Sequence, residues 1–117
     1  MKNDLKDRTK RFALAIIDVV EKLPNTISGR AVGNQLVRSG TSVASNYRAA
    51  SRGRSDKEFV AKIGVVIEEA DESEFWLEVI NEKKWVNVDV HIKEANELTA
   101  IFVSIALKMK NRNSKNR

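Results

Sequence analysis

The sequence predicts an all-α protein, an up-down antiparallel four-helix bundle formed by a single domain. Its 117 residues include one Pro and five Gly, so little in the composition interrupts long helices. Apolar residues recur at three- and four-residue spacing in four separate segments, as in helices that bury one face. A chain of this length builds one hydrophobic core but not two. We expect a bundle over 1–110, with helices at about 4–23, 28–52, 55–81 and 89–110, and a disordered basic tail over 111–117.

The first helix is marked by an apolar seam and a defined end. Phe12, Ile16, Val19 and Leu23 follow one another at spacings of four, three and four. Pro24 ends the helix, because the residue before a proline is pushed out of helical geometry.

The second helix separates into an apolar face and a cationic face. When its residues are placed at about 100° intervals, the apolar face collects Val32, Leu36, Gly40, Val43, Tyr47 and Ala50. The opposite face and the residues beyond it are basic; the candidate nucleic-acid ligands are Arg30, Arg38, Arg48, Arg52, Arg54 and Lys57. Guanidinium groups suit phosphate because they offer paired donors. The face lacks aromatic side chains, so we expect it to contact the nucleic-acid backbone rather than to stack on bases.

The third helix carries the clearest bundle signal. Ser55 is the expected N-cap, and Glu58, three residues later, completes a capping box. An uninterrupted alternation of four- and three-residue steps then predicts the buried positions Phe59, Ile63, Val66, Ala70, Ser73, Leu77 and Ile80.

A second apolar flank on this helix predicts an oligomer. Ala61, Val65, Trp76 and Val79 lie away from the core seam. A helix in a monomeric bundle needs one apolar stripe, and an exposed apolar patch usually marks a contact with another protein. We therefore assign these four residues to a subunit interface, with Trp76 as its anchor. The alternative for Trp76 is that it covers the end of the bundle.

The fourth helix begins after a segment that returns to the core. We expect Trp85 and Val88 to fold back over the end of the bundle, and Asp89 to be the N-cap. The predicted buried positions of this helix are Ala95, Leu98, Phe102, Ile105 and Met109.

Charge is distributed unevenly along the chain. The net charge is +5, with 12 Lys and Arg against 6 Asp and Glu over residues 1–60, and 9 against 10 from residue 61 onward. This asymmetry fits a polyanionic partner. It equally fits internal pairing of the second helix with the third, in which Arg38 and Arg48 bind Glu68, Asp71 or Glu72. In that case Arg52, Arg54 and Lys57 are left to contact a ligand.

The residues offer little for catalysis or metal binding. The chain has no Cys and a single His, His91. Glu69 and Glu72 have a spacing seen in di-iron bundles, but such sites need a Glu-x-x-His pair on each of two helices. Ser and Thr are plentiful in the second helix, yet no base is paired with them. We expect no catalytic residues, no metal site, no cofactor and no enzymatic activity.

The sequence also predicts a cytoplasmic protein with no membrane partner. No apolar run approaches the roughly 20 residues that span a bilayer. The first residues, MKNDLKDRTKRF, lack the apolar stretch of a signal peptide.

Three segments resemble a known family. QLVRSGTSVASNYRA, SDKEFVAKI and EEADESEFWLEVI are similar to segments of the four-helix-bundle proteins associated with intervening sequences of 23S ribosomal RNA. That family is in turn similar to the accessory variability proteins of diversity-generating retroelements. The resemblance implies a homopentamer that binds nucleic acid and has no established enzymatic activity.

Two functions remain open from the sequence. The first is a non-enzymatic, oligomeric accessory protein that contacts the backbone of RNA or DNA through its basic surface. The second is a structural adaptor that holds a protein partner, such as a reverse transcriptase. Binding that weakens steeply with salt distinguishes the first from the second.

Overall fold

The computed structural model describes residues 2–115, and their side chains from 4 to 112. Four helices follow one another, α1 (Lys2–Val20), α2 (Ile27–Ser51), α3 (Asp56–Glu82) and α4 (Asp89–Lys115). Within this described range there is no strand. The helices form an elongated bundle with extents of 53 × 23 × 22 Å. The predicted all-α four-helix bundle is confirmed.

Two helix boundaries differ from the prediction. After Val20, the α-helix gives way to turns of the 3₁₀ type, in which the Lys22 N–H donates to the Val19 carbonyl, three residues back, at 3.0 Å. At the other end of the chain α4 continues to Lys115, five residues beyond the expected end. The segment 111–115 contains neither Gly nor Pro, so nothing in it stops the helix. Residues 116 and 117 of the predicted tail lie outside the described residues.

The helix α4 begins at residue 89 as predicted, but its N-cap is one residue earlier than expected. The Ile92 N–H donates to the Val88 carbonyl at 2.9 Å, so Val88 rather than Asp89 occupies the N-cap. The Asn81 side chain fixes this start, since its amide donates to the Asp89 carboxylate and its oxygen accepts from the Val88 N–H.

Consecutive helices pack antiparallel, and small residues allow two of these contacts to be close. Gly40 of α2 lies against Ile16 of α1. Ser73 of α3 donates a hydrogen bond to Ser39 of α2 at 2.9 Å, and both hydroxyls are buried. Between α3 and α4, the Asn96 amide donates to Glu74 at 3.4 Å.

An ion pair joins the first helix, α1, to the last helix, α4. Arg8 of α1 binds the Glu94 carboxylate through two nitrogens, each at 2.7 Å, and also contacts Glu97 at 3.2 Å. A bidentate guanidinium–carboxylate pair fixes geometry as well as contributing energy. It therefore sets the position of α1 relative to the first turns of α4.

The core is built largely from the predicted positions. All four helices contribute, and the buried apolar residues include Ile16, Leu36, Val43, Tyr47, Ile63, Val66, Ala70, Leu77, Ile80, Leu98 and Phe102. Leu23, Phe59 and Ile105 pack against this core but remain partly exposed. The tilted rings of Tyr47 and Phe102, with centroids 5.4 Å apart, join α2 to α4 across the core.

The link from α3 to α4 folds back as expected. Lys84 has a φ of 59°, and the Trp85 N–H donates to the Ile80 carbonyl at 3.2 Å, which terminates α3 in a Schellman-type arrangement. This reversal packs Trp85 against the core and leaves Val88 fully buried.

Two glycines in the helices should respond in opposite ways to alanine. A Cβ at Gly40 would lie 2.7 Å from Cγ2 of the buried, β-branched Ile16, whereas a Cβ at Gly64 meets no atom within 4 Å. We expect Gly40→Ala to lower the free energy of unfolding by about 1–3 kcal/mol through overpacking. Gly64→Ala should raise it by about 0.5–1 kcal/mol through helix propensity. Urea denaturation of the two variants measures both effects, and a neutral Gly40→Ala would contradict this packing.

Candidate nucleic-acid interface

The turn between α2 and α3 is held by local hydrogen bonds. Ser55 is the N-cap of α3, and its hydroxyl accepts from the Glu58 N–H at 3.1 Å. The Glu58 carboxylate returns to the Arg54 N–H at 2.6 Å, rather than to the Ser55 N–H of a standard capping box. Arg52 is the C-cap of α2. The backbone that carries Arg52 and Arg54 is therefore ordered by the helix ends on both sides.

A depression lies beside this turn, and we call it the turn pocket. Its volume is about 410 Å³. It is lined by Ala49, Arg52, Gly53, Arg54, Glu58, Ala61, Lys62 and Val65. Small side chains from both helices leave this space open. The structure thus brings two of the predicted nucleic-acid ligands, Arg52 and Arg54, into one depression with two of the predicted interface residues, Ala61 and Val65.

A second depression lies on the other side of Arg54. Its lining includes Phe59, Met109 and Arg112, so the last turns of α4 reach the same end of the bundle. We define the basic end as the cations gathered there, namely Arg48, Arg52, Arg54, Lys57, Lys62 and Arg112.

The cations of α2 and α3 at the basic end are exposed and unneutralised. Arg48, Arg52, Arg54, Lys57 and Lys62 all face solvent. None of them makes an ion pair with any residue in the described part of the chain. The predicted pairing of Arg48 with the acids of the third helix is therefore not found. These groups keep their full donor capacity for an anionic ligand.

Arg38, in contrast, pairs with α3. Its guanidinium contacts the Glu69 carboxylate at 3.0 Å and also binds Glu72. Glu72 was among the partners expected from the sequence, and Glu69 was not. Because two carboxylates already surround Arg38, its charge is compensated within the protein, and we assign it a structural role.

Glu72 is the centre of this network. Burial alone would raise the pKa of its carboxyl, but hydrogen bonds from Arg38 and Trp76, together with the charge of Arg38, lower that pKa below its usual value. The indole N–H of Trp76 donates to the carboxylate at 3.1 Å. The hydrogen bond with Glu72, together with the charges of Glu69 and Glu72, raises the pKa of Arg38 against the opposing effect of burial.

Arg30 lies far from the other predicted ligands. It belongs to the first turn of α2 and donates to the Asn25 side chain at 2.8 Å. The 22 residues from Arg30 to Arg52 correspond to about 33 Å along a helix. One short ligand therefore does not contact both residues.

Sequence reasoning missed two cations of the basic end, Lys62 and Arg112. Lys62 follows Glu58 by one helical turn, and this spacing places it on the side of α3 that faces α2. The spacing from Glu58 could therefore have identified Lys62 from the sequence. Arg112 was assigned to a disordered tail, so its position beside Arg54 depended on the unexpected length of α4.

The predicted interface residues differ in exposure. Ala61 and Val65 are exposed, Val79 is partly buried, and Trp76 is partly buried against the core. Phe75, which the sequence analysis did not select, is 53% exposed, and its ring meets Trp76 edge-to-face with centroids 4.9 Å apart. We define the outer stripe of α3 as Ala61, Val65, Phe75 and Val79.

The described residues offer no evident metal centre. No three of their His, Asp or Glu side chains are grouped so that they could hold an ion. His91 lies in the first turns of α4, and its buried Nδ1 has no hydrogen-bond partner in this part of the chain. Burial, and then the charge of Lys22, lower the pKa of His91, so the imidazole is neutral at pH 7.

Comparison with known proteins agrees with the fold. The model of a family described as 23S rRNA-intervening sequence protein matches residues 1–106. The chain belongs to this family. It is also similar to the crystal structure of a protein of unknown function from the S23 ribosomal protein family of Bacteroides thetaiotaomicron, with a TM-score of 0.81. The sequences are 28% identical, over 87% of this chain and 97% of the other. No curated protein matches the chain significantly.

Family membership confirms the resemblance seen in the sequence, and it does not by itself assign an activity. The family description names an RNA context, and the structural relative has no known function. Among the described helices, none is both long enough and apolar enough to cross a membrane.

The Arg38–Glu72 network predicts a pH-dependent contribution to stability. Glu72→Gln keeps an acceptor for Trp76 but removes the charge that pairs with Arg38. Because the pKa of Glu72 is lowered in the folded state, its contribution is complete above the unfolded value of 4.5 and is lost as the pH falls through the folded value. We expect the variant to be less stable than the wild type at pH 7, with the difference vanishing in stronger acid.

Denaturant titrations at several pH values measure this difference. Glu68→Gln is the matched control, since Glu68 is exposed on the same helix and makes no ion pair among the described residues. A stability difference for Glu72→Gln that is the same at pH 7 and pH 3 would exclude a charge effect.

Proposed function

We propose that this protein is a non-enzymatic accessory protein that binds the phosphate backbone of RNA or DNA through its basic end, and that it acts as a homo-oligomer. The observation that carries the proposal is the contrast between two sets of cations. Arg38 is compensated by Glu69 and Glu72, whereas the guanidinium groups of Arg52 and Arg54 make no ion pair with a described residue. Cations left exposed at one end of a bundle form an electrostatic footprint for a polyanion.

The geometry of the basic end suits backbone contacts. Arg48 and Arg52 are one helical turn apart on α2, and Arg54 follows within the ordered turn. Side chains on such a frame reach successive phosphates along one strand, and guanidinium groups donate to phosphate in pairs. The family description makes RNA the first ligand to test.

Absence of catalysis is part of the proposal. His91 is the chain's one histidine, and it lies at the start of α4, next to the end of α3. The basic end lies at the start of α3, a helix of 27 residues that corresponds to about 40 Å. The imidazole is therefore remote from any ligand held at the basic end.

Self-association rests on the outer stripe. Phe75 and Val65 are 53% and 37% exposed on a helix whose core face is already buried. Burying a large apolar side chain in an interface contributes about 1.5–3 kcal/mol. We propose a ring, with the five subunits implied by the resemblance, in which each copy presents a basic end and avidity multiplies weak contacts.

A protein partner is the second candidate. On α4, Leu107 is 56% exposed and Val103 is also exposed, which gives a further apolar surface that the homo-oligomer through α3 does not use. Exposed apolar residues of this kind fit a structural adaptor that binds a protein such as a reverse transcriptase. Absence of any RNA or DNA binding at about 50 mM salt would favour this adaptor.

The backbone-binding proposal makes a quantitative salt prediction. Arg52→Ala and Arg54→Ala should each weaken binding and reduce the slope of log K against log salt by about 0.7 for single strands and 0.9 for duplexes. Fluorescence anisotropy with labelled RNA and DNA between low and physiological salt measures these slopes.

Arg30→Ala is the matched control for this experiment. It removes an exposed arginine from the same helix, at the opposite end. Equal effects of Arg30→Ala and Arg52→Ala would show that binding follows net charge alone, and the assignment to the basic end would be wrong.

The oligomer is tested separately at the outer stripe. The double variant Phe75→Glu, Val79→Glu places two charges in the proposed interface, where burial without a partner is unfavourable. We expect light scattering to show a mass near that of one chain for this variant and a multiple of it for the wild type. Ile27→Glu, at a residue 83% exposed at the start of α2, should leave the mass unchanged. A monomeric wild type would overturn this part of the proposal.

A further inference from the structure

We infer that the turn pocket receives a single unpaired nucleotide, so that the protein prefers strands with bulged or single-stranded residues to continuous duplex. This inference rests on the proposed function and names the ligand class of the same site. It also differs from what the sequence alone suggested, since the cationic face has no aromatic residues and pointed to backbone contacts only.

The size of the pocket sets the first limit on the occupant. Its volume of about 410 Å³ lies near the lower end of the roughly 300–1,000 Å³ that is usual for small-ligand sites. That space suits one base with part of its sugar.

The wall of the pocket is apolar where a base would lie. Ala49 of α2 faces Ala61 and Val65 of α3 across it, and all three side chains are exposed to solvent. The faces of a nucleobase are apolar, but within a duplex they are covered by the neighbouring stacked bases. Among the parts of a nucleic acid, a base that has left the stack is the one with an apolar face free to cover this wall.

The rim of the pocket is cationic. Arg52 and Arg54 rise from the turn, and Lys62 lies on the α3 side. None of the three makes an ion pair with a described residue. Phosphates on either side of an extruded nucleotide would meet these cations, and a guanidinium plane also stacks on bases without an aromatic residue.

One carboxylate lines the same pocket and favours an unpaired base. Glu58 uses Oε2 to accept from the Arg54 N–H, which fixes the carboxylate in place. An anionic group is unfavourable beside a phosphate, but it accepts hydrogen bonds from the N–H groups of a base edge. In a duplex the imino N–H groups of guanine and uracil are already used in Watson–Crick pairs, so an extruded guanine or uracil offers this acceptor a donor that a paired one does not.

Paired RNA ligands test the inference. One is a duplex of about 20 base pairs, and the other is the same duplex with a single bulged 2-aminopurine, whose fluorescence reports on its stacking environment. We expect the wild-type protein to bind the bulged RNA about tenfold more tightly, as one sequestered base would give. The fluorescence of the bulged base should change on binding. The same pair made of DNA shows whether the site requires the ribose.

Ala49→Leu tests the pocket itself, because it fills the depression from α2 without altering a charge or the outer stripe. It should remove the preference for the bulged RNA while leaving the duplex affinity and the salt slope unchanged. Ala31→Leu, at another exposed alanine of α2, is the matched control and should keep the preference. Thermal melts and light scattering confirm that both variants fold and assemble like the wild type.

Failure of this inference is distinguishable from failure of the proposed function. Equal binding of bulged and continuous duplex, or a preference that survives Ala49→Leu, overturns the nucleotide pocket and leaves backbone binding intact. Absence of binding to either RNA and to the DNA pair at low salt overturns both.

Discussion

The packing of α2 against α3 is the constraint on which the rest of this structure depends. Small side chains let the two helices approach until the buried hydroxyls of Ser39 and Ser73 hydrogen-bond at 2.9 Å. At that separation the long side chain of Arg38 reaches Glu69 and Glu72 on the neighbouring helix. A buried pair of hydroxyls contributes little energy by itself, and each hydroxyl also lies within hydrogen-bond distance of a carbonyl of its own helix, Leu36 for Ser39 and Glu69 for Ser73. The contact between the two serines therefore marks how closely α2 and α3 approach in this register.

The register of α2 against α3 decides which charged side chains form ion pairs within the protein. In the middle of the helix pair, acids of α3 compensate Arg38, and Trp76 donates to the same Glu72 carboxylate. Toward the turn, α3 presents Glu58, Ala61 and Lys62 to α2 instead of a continuous acidic row. Glu58 accepts from the backbone N–H of Arg54 through Oε2 and makes no ion pair with a guanidinium. The side chains of Arg52 and Arg54 therefore have no ion-pair partner among the described residues, and a nearly uniform cationic face in the sequence becomes a localised basic end in the structure.

The proposed subunit interface and the proposed ligand site share residues at this end of α3. Ala61 and Val65 belong both to the outer stripe and to the turn pocket, so a subunit packed along the stripe would border the pocket. A ring built in this way would place the pockets of successive copies close to the subunit boundaries. Such an arrangement would couple the oligomeric state to the affinity for a strand, since multivalent contacts depend on the spacing of the sites.

The sequence by itself determined the four helices, most of their core positions and the reversal at Trp85, because hydrophobic periodicity and capping act over a few residues. It also supplied the segments that identify the family. It did not determine which arginines are free, because the outcome depends on the register of α2 against α3, and that register brings together residues as far apart in the chain as Ser39 and Ser73. The turn pocket and the position of Arg112 beside Arg54 likewise emerged only from the tertiary structure, since both depend on contacts between helices rather than on spacing within one.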